Sequence, residues 1–351
     1  MAVPVLEAIV LPALEPRLLL GLESYFLETT AAGHSAPILL VHTHPGRALS
    51  LGRYHPWSGP AERGGIIAWR RLTGGRVLGS GEGWLAITLV VPRRGALLSE
   101  RDAAIAPEQV INRYVRGLLS AFKTLGLNAF YPGRDAVTAG GREIALCSFE
   151  VDSAGAMLFE AFVAVNRGME EVVRDLERFD PDGELATRFY GPDSASKLVR
   201  ELDRDLGFDE LAEAIVGGYS ASFRETRRRE LSGAELAQGE YRGAAMESAG
   251  WLNSLVPALE CSAVARVNAQ LGAIEARLGI APGGTIERFQ LTGDFIANSS
   301  ALGRLESELR GKPLDFDAIS DAVIKTFGNG DNFLLGAGAL SELARLITRA
   351  R

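Results

Sequence analysis

Apolar residues recur along this chain with two different periods, and the switches between them outline a fold. In PRLLLGLESYFLETT, Leu19, Leu22 and Phe26 fall on one stripe at helical spacing, which predicts an amphipathic helix. APILLVHTHP and GGIIAWRRLTGG are short strand-like runs broken by Gly and Pro turns. GWLAITLVVP is almost continuously apolar between Gly83 and Pro92. A strand of that kind is covered on both faces, so it is expected at the centre of a sheet. In VINRYVRGLLSAFKTLGL the stripe Ile111, Val115, Leu118, Phe122 and Leu125 predicts one amphipathic helix. The segment AVTAGGREIALCSFEVDSAGAMLFEAFVAV predicts two or three strands joined by glycine turns, a meander whose alternate side chains form a wall of a cleft.

Further on, SKLVRELDRDL and DELAEAIVGGYSASFRE are helical in pattern, and Ser232 and Glu235 in LSGAELAQ stand at capping-box spacing, marking another helix start. The pattern breaks at GWLNSLVPALE. After it come strand-like ARVNAQLGAIEARLG and GGTIERFQLTGDF, then the helical SALGRLESELRG and DFDAISDAVIKTFG, ending at Gly328. NFLLGAGALSELARLITRAR predicts a last helix. A boundary is therefore placed between residues 1–255 and residues 256–351, the second a small α+β unit. The predicted class is α+β, built on a mixed sheet.

A chain of 351 residues, 47% hydrophobic and 23% charged, suits two globular units with separate cores. It has neither a basic leader followed by a long apolar stretch nor any window of 18 uninterrupted apolar residues, so a soluble, cytoplasmic protein is expected. Two distant cysteines, Cys147 and Cys261, make no disulfide framework or cysteine-rich metal site. A formal charge of -7 argues against a general nucleic-acid binder, and the run Arg227-Arg228-Arg229 reads as a solvated helix end. Lysine is confined to Lys123, Lys197, Lys312 and Lys325, so chemistry that demands a lysine has few candidates. Lys197, at a helix start, reads as solvated.

The stretch RRLTGGRVLGSGEGWL carries the chemistry. A glycine pair lets backbone N–H groups approach an anion while the arginine forks bind phosphate or carboxylate oxygens; a tight turn between two strands would use the same glycines. Around it the chain runs LGRYHPW, RRLTGG, YPGRD and GGREIA in order. This order resembles the lipoate-protein ligase family of the biotin and lipoate ligase superfamily, whose motifs run G-R-x-Q-N, R-R-x-[ST]-G-G-G, G-R-N-D and G-R-K-I. The segments after residue 255 resemble that family's accessory domain.

The resemblance implies a mixed-sheet catalytic domain with a pocket for lipoate and ATP with Mg2+, and a lipoyl-adenylate intermediate. The acyl group would go to a lysine of a lipoyl carrier domain or a glycine-cleavage H-type protein. It assigns Gly52 and Arg53 to the first motif, and Arg70, Arg71, Thr73, Gly74 and Gly75 to the loop around the acyl group and nucleotide. Asp135 falls on the asparagine of G-R-N-D and Ala136 on its aspartate, leaving Asp135 as the one oxygen ligand for Mg2+ there. This chain departs from the pattern at the chemistry. Glu143 stands where the family has its reactive-site lysine. At about 4 Å and an effective dielectric near 20, a unit-charge contact of that kind is worth roughly 4 kcal/mol, and its sign is reversed here. Ser80 and Gly81 take the place of a His-Asp pair, and Phe159, Glu160 and Ala161 that of His-His-Gly.

Arg76, at the loop's third glycine position, is the candidate substitute cation. Arg142 neighbours Glu143, but adjacent strand residues face opposite ways, so both cannot line one cleft without a bulge. Cys147, four residues beyond Glu143, shares its face in a regular strand, either as a buried thiol or as a thioester-forming nucleophile. His42 and His44 share a face, and with His55 they suggest packing or substrate contact more than a metal site. The loop Arg70–Arg76 is expected to line the main concave pocket, with Glu143 and Glu160 on the opposite wall. Three functions follow: an ATP-dependent lipoate-protein ligase with an altered pocket; an ATP-independent octanoyl or lipoyl transferase using Cys147; and a non-catalytic relative that binds a lipoyl carrier or a small acid.

Overall fold

The computed structural model describes residues 5–96, 105–179, 194–255 and 261–350. The chain begins with strand β1 (Val5–Leu11), helix α1 (Pro16–Ala31) and strand β2 (Ile38–His42). Four short strands follow, β3 (Arg47–Leu51), β4 (Glu62–Arg63), β5 (Ile66–Arg70) and β6 (Leu78–Gly81), and then β7 (Trp84–Val91). Helices α2 (Pro107–Tyr114) and α3 (Arg116–Thr124) lead to β8 (Ala129–Phe130) and the meander β9 (Ala136–Ala139), β10 (Arg142–Val151) and β11 (Met157–Ala164). Helices α4 (Met169–Phe179), α5 (Leu198–Leu202) and α6 (Phe208–Ser220), strand β12 (Glu225–Arg228) and helix α7 (Gly233–Ser248) come next. After a 3-10 turn at Trp251–Asn253 the chain forms β13 (Ala263–Asn268), β14 (Ala273–Ile280), β15 (Ile286–Gly293) and β16 (Ile296–Ala297). It ends with α8 (Ser299–Leu309), α9 (Phe316–Phe327), β17 (Leu334–Leu335) and α10 (Leu340–Thr348).

The main sheet is mixed, in the order β12-β1-β2-β7-β11-β10-β9-β8, with β1 parallel to both β2 and β12 and the remaining pairs antiparallel. The continuous apolar strand β7 lies between β2 and β11 with every residue buried, where its pattern predicts it. A second sheet, β4-β5-β3-β6, packs near one face. Period-two alternation divides the sheet's side chains between two cores. On one face Leu85, Ile87 and Leu89 meet Val110, Leu118, Phe122 and Ile215 of α2, α3 and α6. On the other, Ala86, Val90 and Leu158 meet Leu19, Leu22 and Phe26 of α1 and Leu49 and Leu78 of the small sheet. A third cluster has buried members from Ala263 to Ala350, and Tyr54 joins it.

The apolar stripe over residues 111–125 belongs to two helices, not one. They meet at Val115, whose helical dihedrals (φ -68, ψ -16) keep the stripe continuous across the joint. Ser232 and Glu235 form the reciprocal capping box that starts α7. The arginine run is a correction: Arg227 and Arg228 lie in edge strand β12, paired with β1, and not at a helix end. Its guanidinium groups are matched by Glu225, Glu213, and the pair Glu7 and Glu235. The break in pattern falls on Trp251–Asn253 and on residues 256–260, the latter outside the described residues. Among the described residues no helix is long and apolar enough to cross a membrane.

Candidate functional site at the glycine loop

Strand β5 delivers Arg70 to the end of the small sheet, and the chain then turns through Arg71–Arg76 across one face of the main sheet. Both arginines that open the turn are fully buried and spend their donors on backbone carbonyls. Arg70 Nη1 donates to the carbonyls of Gly52, Arg53 and His55 (3.0, 3.0 and 2.6 Å), and its Nε and Nη2 to Leu252 (2.9 and 2.7 Å). Arg71 donates to the carbonyls of Ser50, Gly74 and Arg76 (2.9, 2.6 and 2.8 Å) and to Thr73 Oγ1 (3.1 Å). These bonds satisfy carbonyls that a sharp turn would strand, so Arg70 and Arg71 hold the loop's shape. That corrects their expected role as anion-binding forks.

The glycines are required by what lies against them. A Cβ on Gly52 would sit 2.0 Å from the carbonyl oxygen of Gly75, and one on Gly74 would sit 2.3 Å from that of Phe295. Gly75 has φ +89, and its N–H donates to Phe295 O at 2.7 Å. The polypeptide after β15 therefore closes one side of the loop. Tyr54 stacks on Phe295 with ring centroids 4.7 Å apart and donates to Ala297 O at 3.0 Å, and His55 Nδ1 lies 3.2 Å from Asp294.

Under the loop, the sheet face that meets α1 carries polar residues among apolar ones. Thr73 donates to Glu160 on β11, so this carboxylate belongs to the loop's own support and not to a wall opposite it. Thr88 on β7 donates to Glu23 of α1 at 2.8 Å, and His42 Nε2 lies 3.3 Å from the same hydroxyl. Glu23 and Glu160 are both wholly buried. Burial, then the charge of Glu160, pushes Glu23 well above the carboxylate range; burial also raises Glu160, opposed by Arg71. His42 and His44, with rings 5.4 Å apart, are kept neutral chiefly by burial, His44 near 4. His44 also packs edge-on to Trp69. Ser80 accepts from the Trp69 indole at 3.0 Å inside the small sheet, a packing role in place of the expected ligand contact.

At the loop's far end Arg76 reaches across to Asp135. The guanidinium makes a two-point pair, Nε to Oδ2 at 2.8 Å and Nη2 to Oδ1 at 2.5 Å, with both side chains buried. Its Nη2 also stands 3.6 Å from Glu143 Oε1. Arg76 therefore does bring a cation to position 143, already matched by a carboxylate. Both oxygens of Asp135, the residue expected to meet Mg2+, accept from Arg76. Among the described residues no group of three or more His, Cys, Asp or Glu side chains is placed to hold a metal ion.

Strand β10 settles the disputed faces. Its register against β9 shifts between Glu143 and Ala145, so Ile144 is an extra residue in a bulge. Glu143 then pairs with Thr138 and Leu146 with Ala136, which puts Glu143 on the face of Ser148, Glu150 and Glu160. Ser148 donates to Gly74 O at 2.9 Å, so that face is the one under the loop. Cys147 lies on the other face, in the helix-covered core, with its thiol pushed up by burial and by Asp135. The expected sharing of a face by Glu143 and Cys147 is overturned by one residue of bulge, and an inert buried thiol is the result. Arg142, before the bulge, alternates away from Glu143 and pairs with Glu201 at 2.6–3.0 Å.

Sequence reasoning did not single out Glu23, Thr88, Tyr54 or Glu150. Glu150, buried on the loop face, accepts from the Ser299 N–H (2.8 Å) and hydroxyl (3.0 Å) at the start of α8 and from Tyr54 (3.4 Å). Burial raises it to about 7. Polar residues at every second position, here Ser148, Glu150 and the paired Glu160, inside otherwise apolar strands were the available signal. Two cavities open beside the loop. One of about 880 Å³ is lined by Arg53, Leu72, Glu150, Trp251 and Ser299, and one of about 600 Å³ by Ile67, Trp69, Arg70 and Trp251. Arg53 lies over the Trp251 ring at 5.1 Å. Of the loop's expected ligand residues, Arg70 alone enters the lining of these two cavities.

A family model described as the lipoyl protein ligase A/B catalytic domain matches residues 15–220. No curated protein matches the chain. Among solved structures, LipL1 of P. falciparum in complex with lipoate is similar over 98% of this chain and 99% of its own, with TM-score 0.69 and 12% identity. A bi-partite lipoate protein ligase of Thermoplasma acidophilum, solved with its E2 lipoyl domain, is similar over 74% of this chain and 100% of its own, with TM-score 0.56 and 17% identity. A lipoate-protein ligase A bound with ATP is similar over 71% and 100%, with TM-score 0.50 and 17% identity. At these identities the likeness is one of fold.

Proposed function

Since this chain belongs to the lipoyl protein ligase A/B catalytic-domain family, matched over residues 15–220, we propose that it transfers a lipoyl- or octanoyl-type acyl group to the lysine of a lipoyl carrier domain. The observation that carries this reading is the loop Thr73–Arg76 backed by Gly52, with Asp135, Glu143 and Glu160 gathered around it from three strands and turns that the sequence holds far apart. A relative in this fold holds lipoate, another holds ATP, and a third was solved with a lipoyl domain. These support an acyl acid, an adenylate route and a carrier partner. Cys147 does not support a thioester route, being buried on the wrong face.

The chemistry asked of the chain is modest in atoms and demanding in placement. An acyl carbonyl must be held beside a fixed cation while a lysine nitrogen approaches it, and most of the rate comes from that positioning. Arg76 is such a cation, held rigid by Asp135. The test is incubation with ATP, Mg2+, lipoate or octanoate, and either a lipoyl domain or an H-type protein, followed by intact mass of the acceptor. Gain of one acyl group is expected. An acceptor that stays unmodified, also when preformed lipoyl-adenylate is supplied, while it still binds the chain, would leave carrier binding without catalysis as the function. Arg76 being already paired is what favours that second reading.

A further inference from the structure

The larger cavity beside the loop, about 880 Å³, is of the usual size for a small-molecule site, and distant parts of the chain build it. Leu27 of α1, Leu72 of the glycine loop, Met246 of α7 and Trp251 of the 3-10 turn make one wall apolar. The other wall is polar, with Ser153 from the turn after β10 and Ser299 and Ser300 from the start of α8. Thr73, Arg76, Asp135, Glu143 and Glu160 take no part in the lining, so the cavity is separate from the polar residues gathered under the loop.

Four charged side chains line it, and three of them are engaged elsewhere. Glu28 pairs with Arg242 at 2.7 Å. Glu150 accepts from the Ser299 N–H and hydroxyl and from Tyr54. Asp152 closes its own turn, accepting from the N–H groups of Ala154 and Ala156 at 2.9 Å each. Arg53 is the exception. Its half-buried guanidinium lies over the Trp251 ring at 5.1 Å. Among the described residues its side chain makes one hydrogen bond, a long one of 3.4 Å from Nη1 to Leu72 O, and no salt bridge. A guanidinium fixed by stacking, with its other donors unmet, is preset to take a planar oxyanion through two parallel bonds.

We propose that this cavity is a second ligand site, distinct from the site of acyl transfer, that takes a small aromatic carboxylate with its head on Arg53 and its ring against Trp251, Met246, Leu72 and Leu27. Indole and thioether surfaces favour contact with a ring. A single negative charge is what the lining accommodates. A phosphate dianion would meet three carboxylates with only one cation to answer it, and an amine would set its charge against Arg53. A ligand seated here touches the loop through Leu72 and the last unit through Ser299 and Ser300, so its binding holds the two together and stabilises the folded chain by mass action.

The experiment compares 3-phenylpropionate, 3-phenylpropanol and 3-phenylpropylamine, one body with three heads, by titration calorimetry and thermal melts of the full chain. The acid should bind and raise the melting temperature, the alcohol should bind about tenfold more weakly or worse, and the amine should not bind. Arg53→Gln should weaken the acid by about ten- to a hundredfold, and Arg53→Lys, which keeps the charge and loses the fork, should fall between. Ligand-free melts of both variants check that they are folded. Excess lipoyl-adenylate should leave the affinity for the acid unchanged. An acid that binds no better than the alcohol, or equally well to the wild type and a folded Arg53→Gln, overturns the anion site. Displacement of the acid by lipoyl-adenylate overturns its separation from the transfer site. None of these readouts needs acyl transfer, so a chain that fails to acylate a carrier leaves this inference standing or falling on its own.

Discussion

At the scale of single residues, Arg76 shows how one buried charge is answered by its neighbours. The loop carries a guanidinium among buried side chains, and Asp135 holds it in a two-point pair with Glu143 beside it. Removing one partner of a buried pair leaves the other charge stranded, which typically costs about 3–5 kcal/mol. Arg76→Ala should lower stability by that order in urea unfolding. In titration calorimetry below the melting range it should also weaken lipoyl-adenylate binding by roughly tenfold or more. Cys147→Ser, on the opposite sheet face, should leave that affinity nearly unchanged. Equal losses in the two variants would contradict the assignment of faces.

At the scale of elements, the loop is shaped less by its own sequence than by the segment Gly293–Ala297. Three bonds, Gly75 N–H to Phe295 O, Gly293 N–H to Tyr54 O and Tyr54 hydroxyl to Ala297 O, tie that segment to the loop and to the turn after β3. Gly74→Ala would place a methyl 2.3 Å from Phe295 O and must push the segment away. Overpacking of this kind typically costs about 1–3 kcal/mol. Gly303→Ala, in open space on helix α8, should instead be neutral or stabilising by up to about 1 kcal/mol. Thermal melts of the two variants check the contrast, and a Gly74→Ala protein as stable as the wild type would show that the two segments do not need each other.

At the scale of the whole molecule, buried carboxyls make stability depend on pH with an unusual sign. Glu143 and Glu150 are raised from 4.5 to about 7, and Glu23 and Glu160 are raised as well, in every case chiefly by burial. Between about pH 5 and 7 the folded chain therefore holds carboxyl protons that the unfolded chain has released, a contribution that falls as pH rises; His42 and His44, lowered by burial, oppose it up to about pH 6.5, but the carboxyls outnumber them and the net is a fall. The half-buried carboxylates lowered in spite of burial, Glu201 by Ser196 and Arg142 and Glu235 by Arg229 and Ser232, act below that window, where their stabilising charge is lost as pH falls. The urea midpoint should decline from about pH 5 to 7, and Glu150→Gln, which keeps an acceptor for Ser299, should flatten the decline. A midpoint that rises across the window would refute the buried, protonated state of these groups.

The sequence by itself determined the strands and helices whose apolar spacing is strong: α1, the buried central β7, the meander β9 to β11, the capping box of α7 and the helices after residue 298. Period is a local property, so it survives being read without neighbours. Sequence order was also enough to single out Gly52, Gly74, Gly75 and Arg76. What each side chain does there was decided only in three dimensions. Whether an arginine binds a ligand or a stranded carbonyl depends on what the turn leaves unpaired, which is why Arg70 and Arg71 were misread. The face of Glu143 and Cys147 depended on one bulge residue, Ile144, that alternation cannot reveal because a bulge carries no fixed sequence sign. The edge strand at Arg227–Arg228 likewise takes its structure from β1, more than two hundred residues earlier, through main-chain bonds that the local pattern of charges does not encode.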